Sequence, residues 1–424
     1  MRIGIVGGGL SGISLRYFLR HKSEILEKEN KIGGLCRTFE KNGFLYDIGG
    51  HILFSKDKDF TAFIKKVLGK NINYCRRNNK ILFKDRYVKY PFENGLSELG
   101  KKDNYECLLG YIRNNYPAPK NFHEWIFHTF GEGIANKYMV PYNKKIWKFD
   151  LSRMGLGWVE RVPKPPIEDV IKSAIGVVTE GYTHQLYFNY PKYGGIASLV
   201  KTLVKDEGSI HTRFNVTNIR KKNGSWVVSD GFEDKVYDKL VLTMPIGEAV
   251  GCLEKVPPRV KKAAAELKHN SVRIVLVGIN NGSLSDKSAI YLPDNKALAH
   301  RLCYMSYFSK NNVPQGRSSL MAEISTRRGQ KIYHASGVVL AEIVIKDLTR
   351  LGIIDRRDVV VTDVKDIEYA YIIYDRQYEQ NIKIVKDYFG YIGIELLGRF
   401  AEFEYINMDE VIRRGMRLAR RLNR

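Results

Sequence analysis

Residues 47–55 read DIGGHILFS, with two glycines and a histidine set inside an otherwise apolar run. A glycine pair lets backbone lie against a flat ligand where a Cβ would intrude, and an imidazole directly after it can exchange protons near neutral pH. Gly49, Gly50 and His51 therefore read as a ligand-facing loop, against the plainer alternative of a tight turn with a surface histidine. A second glycine cluster opens the chain, where IGIV runs into GGGLSG and Gly7, Gly9 and Gly12 fit G-x-G-x-x-G. After a strand and before a helix, that spacing gives a tight turn, close backbone approach to a pyrophosphate, and a helix N-terminus that favours its charge. Glu27 closes the run SEILEKE, where an acid can accept hydrogen bonds from ribose hydroxyls. KIGGLCRT then supplies Gly33, Gly34, Leu35 and Arg37, a further close approach of backbone to ligand.

These residues need elements to hold them. RIGIV reads as a strand, LSGISLRYFLRH as an apolar-periodic helix and SEILEKE as a second strand. Residues 208–245 alternate, which predicts a three-stranded excursion turning at Asn223–Gly224, then an apolar strand ending TMP. GRFAEFEYINMDEVIRRGMRLARRL predicts a strand, then Asp409 near a helix start, then a terminal amphipathic helix whose free N–H groups face a ligand. The predicted class is α/β: a Rossmann-like cofactor domain of discontinuous segments (1–55, 191–250 and 366–424) with two inserted domains. One insertion, 56–190, is mainly helical and rich in aromatics; the other, 251–365, is a mixed β-sheet domain for substrate.

Composition narrows the class. At 424 residues, with 44% apolar and 27% charged side chains, the chain is a globular protein of more than one domain. No apolar run is long enough to span a membrane and the N-terminus lacks a signal-peptide layout, so a cytoplasmic protein is expected. The five cysteines are scattered and never spaced CxxC, which predicts free thiols and no metal site. A net charge of +23 admits nucleic acid, an anionic membrane or an anionic small substrate. No nucleic-acid-binding motif accompanies it, so nucleic acid is set aside. A peripheral membrane contact through RRGMRLARRLNR (413–424) stays open, as does the oligomeric state.

The glycine loop, the acid and the GG-x-x-R continuation together resemble the FAD-binding segment of the amine oxidase and protoporphyrinogen oxidase-like superfamily. In that superfamily a valine near the start of the excursion meets the adenine, here Val216, and Arg399, Asn407, Met408 and Asp409 are implied flavin contacts. Further motifs resemble the UDP-galactopyranose mutases of the eukaryotic-type branch: GFLYDIGGHILFSKDKDF, YVKYPFENGLSEL, GIANKYMVPYNKKIWKFDLSRMGLGWVERV, FNYPKYGGIASLVKTL, SAIYLPDNKALAHRLCYMSYFS and GRFAEFEYINMD. They span most of the chain in the family's order.

The resemblance implies FAD, active when reduced, with NADPH as the expected reductant although no separate nicotinamide site can be named. It implies interconversion of UDP-galactopyranose and UDP-galactofuranose through a reduced-flavin N5–sugar adduct, without net redox change. His51, Arg161 and Arg301 are the implied catalytic residues; Phe54, Tyr90, Phe92, Glu93, Asn143, Trp147, Tyr291, Tyr371 and Tyr405 are the implied substrate contacts. Arginines and phenols suit a leaving diphosphate, and Tyr90 and Phe92 suit a flat base. Glu93 stands where the family has a glutamine, Ala289 where it has a tryptophan, and Phe308 where it has a tyrosine. An ionised Glu93 only accepts hydrogen bonds, so it could pair with uracil N3–H but not with the base's carbonyl oxygens. Two alternatives stay open: a true FAD-dependent oxidoreductase of the amine oxidase or protoporphyrinogen oxidase type, and a non-catalytic nucleotide-binding protein.

Overall fold

A computed structural model describes residues 1–162, 164–180, 186–283 and 285–424, with Arg161 described in its backbone alone. The protein has a mixed α/β fold in which a parallel sheet and a larger, mostly antiparallel sheet meet over one cavity. The parallel sheet runs Glu395–Leu396, Lys239–Leu242, Arg2–Val6, Lys22–Glu27, Ile210–Thr212, so its strands come from both ends and the middle of the chain. Arg2–Val6 lies at its centre with Ile3 and Ile5 fully buried, as expected of an apolar strand covered on both faces. The helix Leu10–Phe18 follows it and packs against the terminal helix Met408–Leu422. Their close crossing depends on Gly415, whose Cβ would stand 3.1 Å from that of Ser14.

The predicted excursion is present as three antiparallel strands, Asn218–Lys222, Ser225–Ser229 and Asp234–Tyr237. Asn223 (φ 49°) and Gly224 (φ 81°) both take left-handed torsions at its first turn, which is why the turn is Asn-Gly.

The larger sheet has seven strands in the order Val359–Ile373, Lys268–Ile279, Ser318–Thr326, Arg301–Tyr304, Ala289–Tyr291, Asn79–Phe83, Arg86–Lys89. The helix Gly337–Arg350 covers one face, burying Leu340, Val344 and Leu348 against Val275, Val277 and Leu320. Two features depart from the expected partition. Residues 56–190 hold helices (Lys58–Leu68, Lys101–Ile112, Phe122–Ile134, Val140–Trp147 and Ile167–Ala174), but also the strands Asn73–Arg76, Asn79–Phe83, Arg86–Lys89 and Tyr187–Tyr190. NKILF and RYVK reverse at Lys84 (φ 55°) and extend the large sheet, so they belong with the segment expected to carry substrate. In addition, the strand Val359–Ile373 runs straight through the expected boundary at 365.

The arginine-rich face of the terminal helix is largely occupied from within. Arg413 pairs with Asp57 (3.1 Å), Arg414 with Glu402 and Glu404 (both 2.7 Å), Arg417 with Glu410 (2.5 Å) and Arg421 with Glu395 (2.6 Å). Among the described residues no helix is long and apolar enough to cross a membrane.

Candidate active site

The first wall of the cavity is the glycine cradle. A Cβ on Gly12 would lie 2.2 Å from the Gly7 carbonyl oxygen, and one on Gly34 would lie 3.0 Å from the Gly9 Cα, so the two turns nest only as glycines. The Gly33 N–H donates to the Gly8 carbonyl (2.8 Å) and ties the turns together. Glu27, at the end of its strand, accepts from the N–H of Gly8 (2.7 Å) and of Glu29 (2.9 Å), one on each carboxylate oxygen. Both oxygens keep a second lone pair for a ribose. Arg37 turns back to the Gly34 carbonyl (3.0 Å), and Leu35 and Val216 complete this wall with Thr243–Pro245.

The C-terminal loop forms the opposite wall. Arg399 donates to the Ala370 carbonyl (2.6 Å) and its guanidinium lies 4.0 Å above the Tyr405 ring. Its Nε is buried and has no hydrogen-bond partner among the described residues. Asn407, Met408 and Asp409 open the terminal helix on the cavity wall, and Asp409 accepts from the Ser55 hydroxyl (2.7 Å). A cradle that a side chain would fill, an acid at a strand end, a buried unpartnered arginine N–H and a helix N-terminus suit a flavin dinucleotide.

The third wall is a row across the large sheet. Tyr291 pairs in register with Arg301, and Arg301 with Glu323, so adjacent strands present them side by side. Arg301 holds Glu323 through both ends of its fork, Nε to Oε1 (2.8 Å) and Nη2 to Oε2 (2.7 Å). Burial pushes the Glu323 carboxyl up, but the guanidinium outweighs it and leaves it below its usual range. Gly49, at φ 82°, turns the chain against this pair. A Cβ there would lie 3.6 Å from Glu323, and one on Gly50 would strike the Cys303 sulfur at 2.8 Å. The Gly50 N–H also donates to Glu323 (3.2 Å).

His51 follows on the cavity wall with its N–H donating to the Gly49 carbonyl (2.8 Å) and its buried Nδ1 unpartnered among the described residues. The near-neutral titration expected of it does not hold. Burial, then the nearby Arg399 charge, pull its pKa down to about 4, so the imidazole is uncharged at neutral pH.

The aromatics divide. Tyr90 stacks on Tyr291 (4.5 Å, 9°), and Phe54 lies beneath Arg77 (5.2 Å); these residues, with Tyr371 and Tyr405, line the cavity. Phe92 and Glu93 do not. Phe92 is fully buried against Tyr138 (5.0 Å), and Glu93, 2% exposed, turns inward beside it, where burial raises its pKa to about 7. Asn143 and Trp147 also stand behind the wall, bonded to each other (3.0 Å), with Trp147 edge-on to Tyr371 (6.2 Å). The backbone of Arg161 closes a short 3₁₀ turn, Val159–Arg161, and its side chain lies outside the described residues. Ala289 and Phe308 do line the cavity. Sequence reasoning overlooked Arg77, Asn79 with its Ser288 partner (2.7 Å), and Glu323. The signal for Glu323 was available as a lone charge in SSLMAEIST, a run that is otherwise uncharged. Among the described residues no cluster suits a metal ion.

One cavity of about 1870 Å³ joins the three walls. Ordinary ligand pockets reach about 1,000 Å³, so there is room for a dinucleotide and a second molecule. Comparison with known proteins agrees with that architecture. Residues 19–422 match the family of flavin containing amine oxidoreductases. A crystal structure of reduced UDP-galactopyranose mutase superposes with a TM-score of 0.91 at 24% identity, covering 99% of this chain and 95% of that one. A protein of Methanothermococcus thermolithotrophicus, uncharacterised and encoded 3′ of nifH2, is 43% identical over 95 residues, 22% of this chain and 92% of its own length. An L-amino-acid oxidase of Sistrurus catenatus edwardsii is 35% identical over 68 residues, 15% of this chain; the match spans only 13% of the oxidase.

Proposed function

The chain belongs to the flavin containing amine oxidoreductases, and from that premise we propose that it is a nucleotide-sugar mutase interconverting UDP-galactopyranose and UDP-galactofuranose, with no net redox change. The observation that carries the proposal is the Tyr291–Arg301–Glu323 row lying against the Gly49–Gly50 loop. An arginine fork and several phenols turn hydrogen-bond donors toward the cavity, a poor arrangement for an ammonium group, which needs acceptors, and a good one for a diphosphate. The likeness in fold to a UDP-galactopyranose mutase and the family motifs quoted above support the same reading.

FAD, when bound and reduced, supplies the nucleophile for the sugar carbon through its N5. The protein's own residues do the rest. Arg301 receives the diphosphate charge, and its bond to Glu323 fixes which N–H groups face the cavity. Tyr371 stays protonated, because burial and the Glu323 charge raise its pKa, and it can therefore donate to a phosphate oxygen. Tyr291, in register with Arg301, and Tyr405, stacked 6.3 Å from Tyr371, are proposed to share that task. His51, uncharged, offers a neutral donor or acceptor and adds no competing cation. Gly49 and Gly50 leave room for sugar and ring to meet. Arg161 is proposed as the second diphosphate cation on the family resemblance, and NADPH as the reductant on the same basis.

The test is turnover of UDP-galactofuranose by dithionite-reduced protein. The expected result is conversion to the pyranose without consumption of reductant, falling by about a hundredfold or more in Arg301→Ala, as for removal of one transition-state charge donor. Peroxide release with an amine substrate, together with no reaction of any UDP-sugar, would falsify the proposal in favour of an oxidase.

A further inference from the structure

Glu323 is the single charged side chain in the buried strand Ser318–Thr326, and it is 1% exposed. A carboxylate so placed is costly unless every lone pair is used. Here Oε1 accepts from Arg301 Nε (2.8 Å) and from the Gly50 N–H (3.2 Å), while Oε2 accepts from Arg301 Nη2 (2.7 Å). The Tyr371 hydroxyl reaches Oε2 at 3.5 Å and the Cys303 thiol reaches Oε1 at 3.5 Å. One carboxylate thus ties together the cation, the glycine loop and a phenol, all of which line the cavity. It also cancels the Arg301 charge, so the pair meets an incoming anion with directed N–H groups and little net charge.

Resting on the mutase reading above, we propose that Glu323 is a positioning residue with a second effect on binding. It holds the Arg301 fork and the Gly50 backbone in one arrangement, and it weakens the resting grip on a nucleoside diphosphate. A leaving group that must depart from the sugar, wait, and return to it gains nothing from a site that binds it equally tightly throughout. Arg301 keeps a quarter of its side-chain surface open, which is enough to present N–H groups while its charge stays compensated.

The experiment measures UDP affinity at low and high salt, together with kcat and KM for UDP-galactofuranose, in the flavin-loaded wild type, Glu323→Gln and Glu323→Asp. The Gln variant removes the charge and keeps the shape. It should bind UDP about tenfold more tightly at low salt, lose that gain at high salt, and turn over on the order of a hundredfold more slowly. The Asp variant keeps the charge but is one methylene shorter, so it cannot reach the Arg301 fork and the Gly50 N–H together. Its UDP affinity should stay within about threefold of wild type while its kcat remains low, a split that loss of stability alone would not produce.

A Gln variant that binds UDP no more tightly, or an Asp variant with wild-type turnover, overturns the inference while leaving the mutase reading intact. If the Gln variant does not hold flavin, the Asp variant decides alone. A wild type that binds no UDP overturns both.

Discussion

Burial moves the pKa values of Glu93 and His51 in opposite directions, in each case toward the neutral form. Glu93 is raised to about 7, so the folded state favours its neutral form. Its stabilising contribution is complete below the unfolded carboxyl value and is lost as pH rises through about 7, where the buried group must ionise. Glu93→Gln, which resembles the neutral acid, should therefore match wild type at about pH 4 and below, pull ahead as pH rises, and exceed it in Tm by a few degrees above about pH 7, as differential scanning fluorimetry across pH would show. His51, held down at about 4, stays uncharged over the working range. The pH–rate profile should accordingly show no inflection owed to His51 between about pH 5 and 8. His51→Gln should lower kcat while leaving the profile's shape unchanged; a vanished inflection would show that the ring does titrate.

At the scale of elements, the Gly7–Gly12 turn and the loop before the terminal helix make distinct predictions. Gly12→Ala drives a methyl to 2.2 Å from the Gly7 carbonyl and should abolish flavin retention, read as loss of the yellow absorbance in folded protein. Arg414 binds Glu402 (2.7 Å), Glu404 (2.7 Å) and Glu410 (3.1 Å), clamping the loop that carries Arg399 and Tyr405 to the helix whose first turn faces the cavity. Arg414→Met removes the link between loop and helix, leaves Glu402 without its ion pair, and should weaken FAD binding about tenfold in fluorescence titration, with Lys restoring only part, since it lacks the guanidinium fork. Such local motifs were legible in the sequence because each is fixed by residues a few positions apart: the glycine cradle, the Asn-Gly turn, and the glycine–histidine loop. What escaped depends on facing. YPFEN reads the same whether Phe92 looks into a cavity or into a core, and here the Tyr138 ring draws it inward. The strands Asn79–Phe83 and Arg86–Lys89 escaped because they are short and carry lysines, and because the hairpin they form joins the sheet only through Asn79–Phe83, which pairs with a segment some two hundred residues away.

For the molecule as a whole, one cavity draws its walls from the first strand's loop, the middle of the chain and the terminal helix. Filling it should stabilise all of them together. FAD at about a hundredfold excess over its Kd should add about 2.7 kcal/mol, seen as a single unfolding transition moved upward, and UDP should add to that shift only while Arg301 is intact. The long strand Val359–Ile373 has a bearing on any attempt to recombine this protein with its relatives. Neighbouring residues on that one strand brace two walls of the cavity: the Ala370 carbonyl anchors Arg399, and the Tyr371 hydroxyl reaches toward Glu323. A crossover placed at the apparent domain seam near 365 would sever a continuous spar, so a transplanted sheet must travel with residues 359–373 whole or arrive detached from the wall that Arg399 builds.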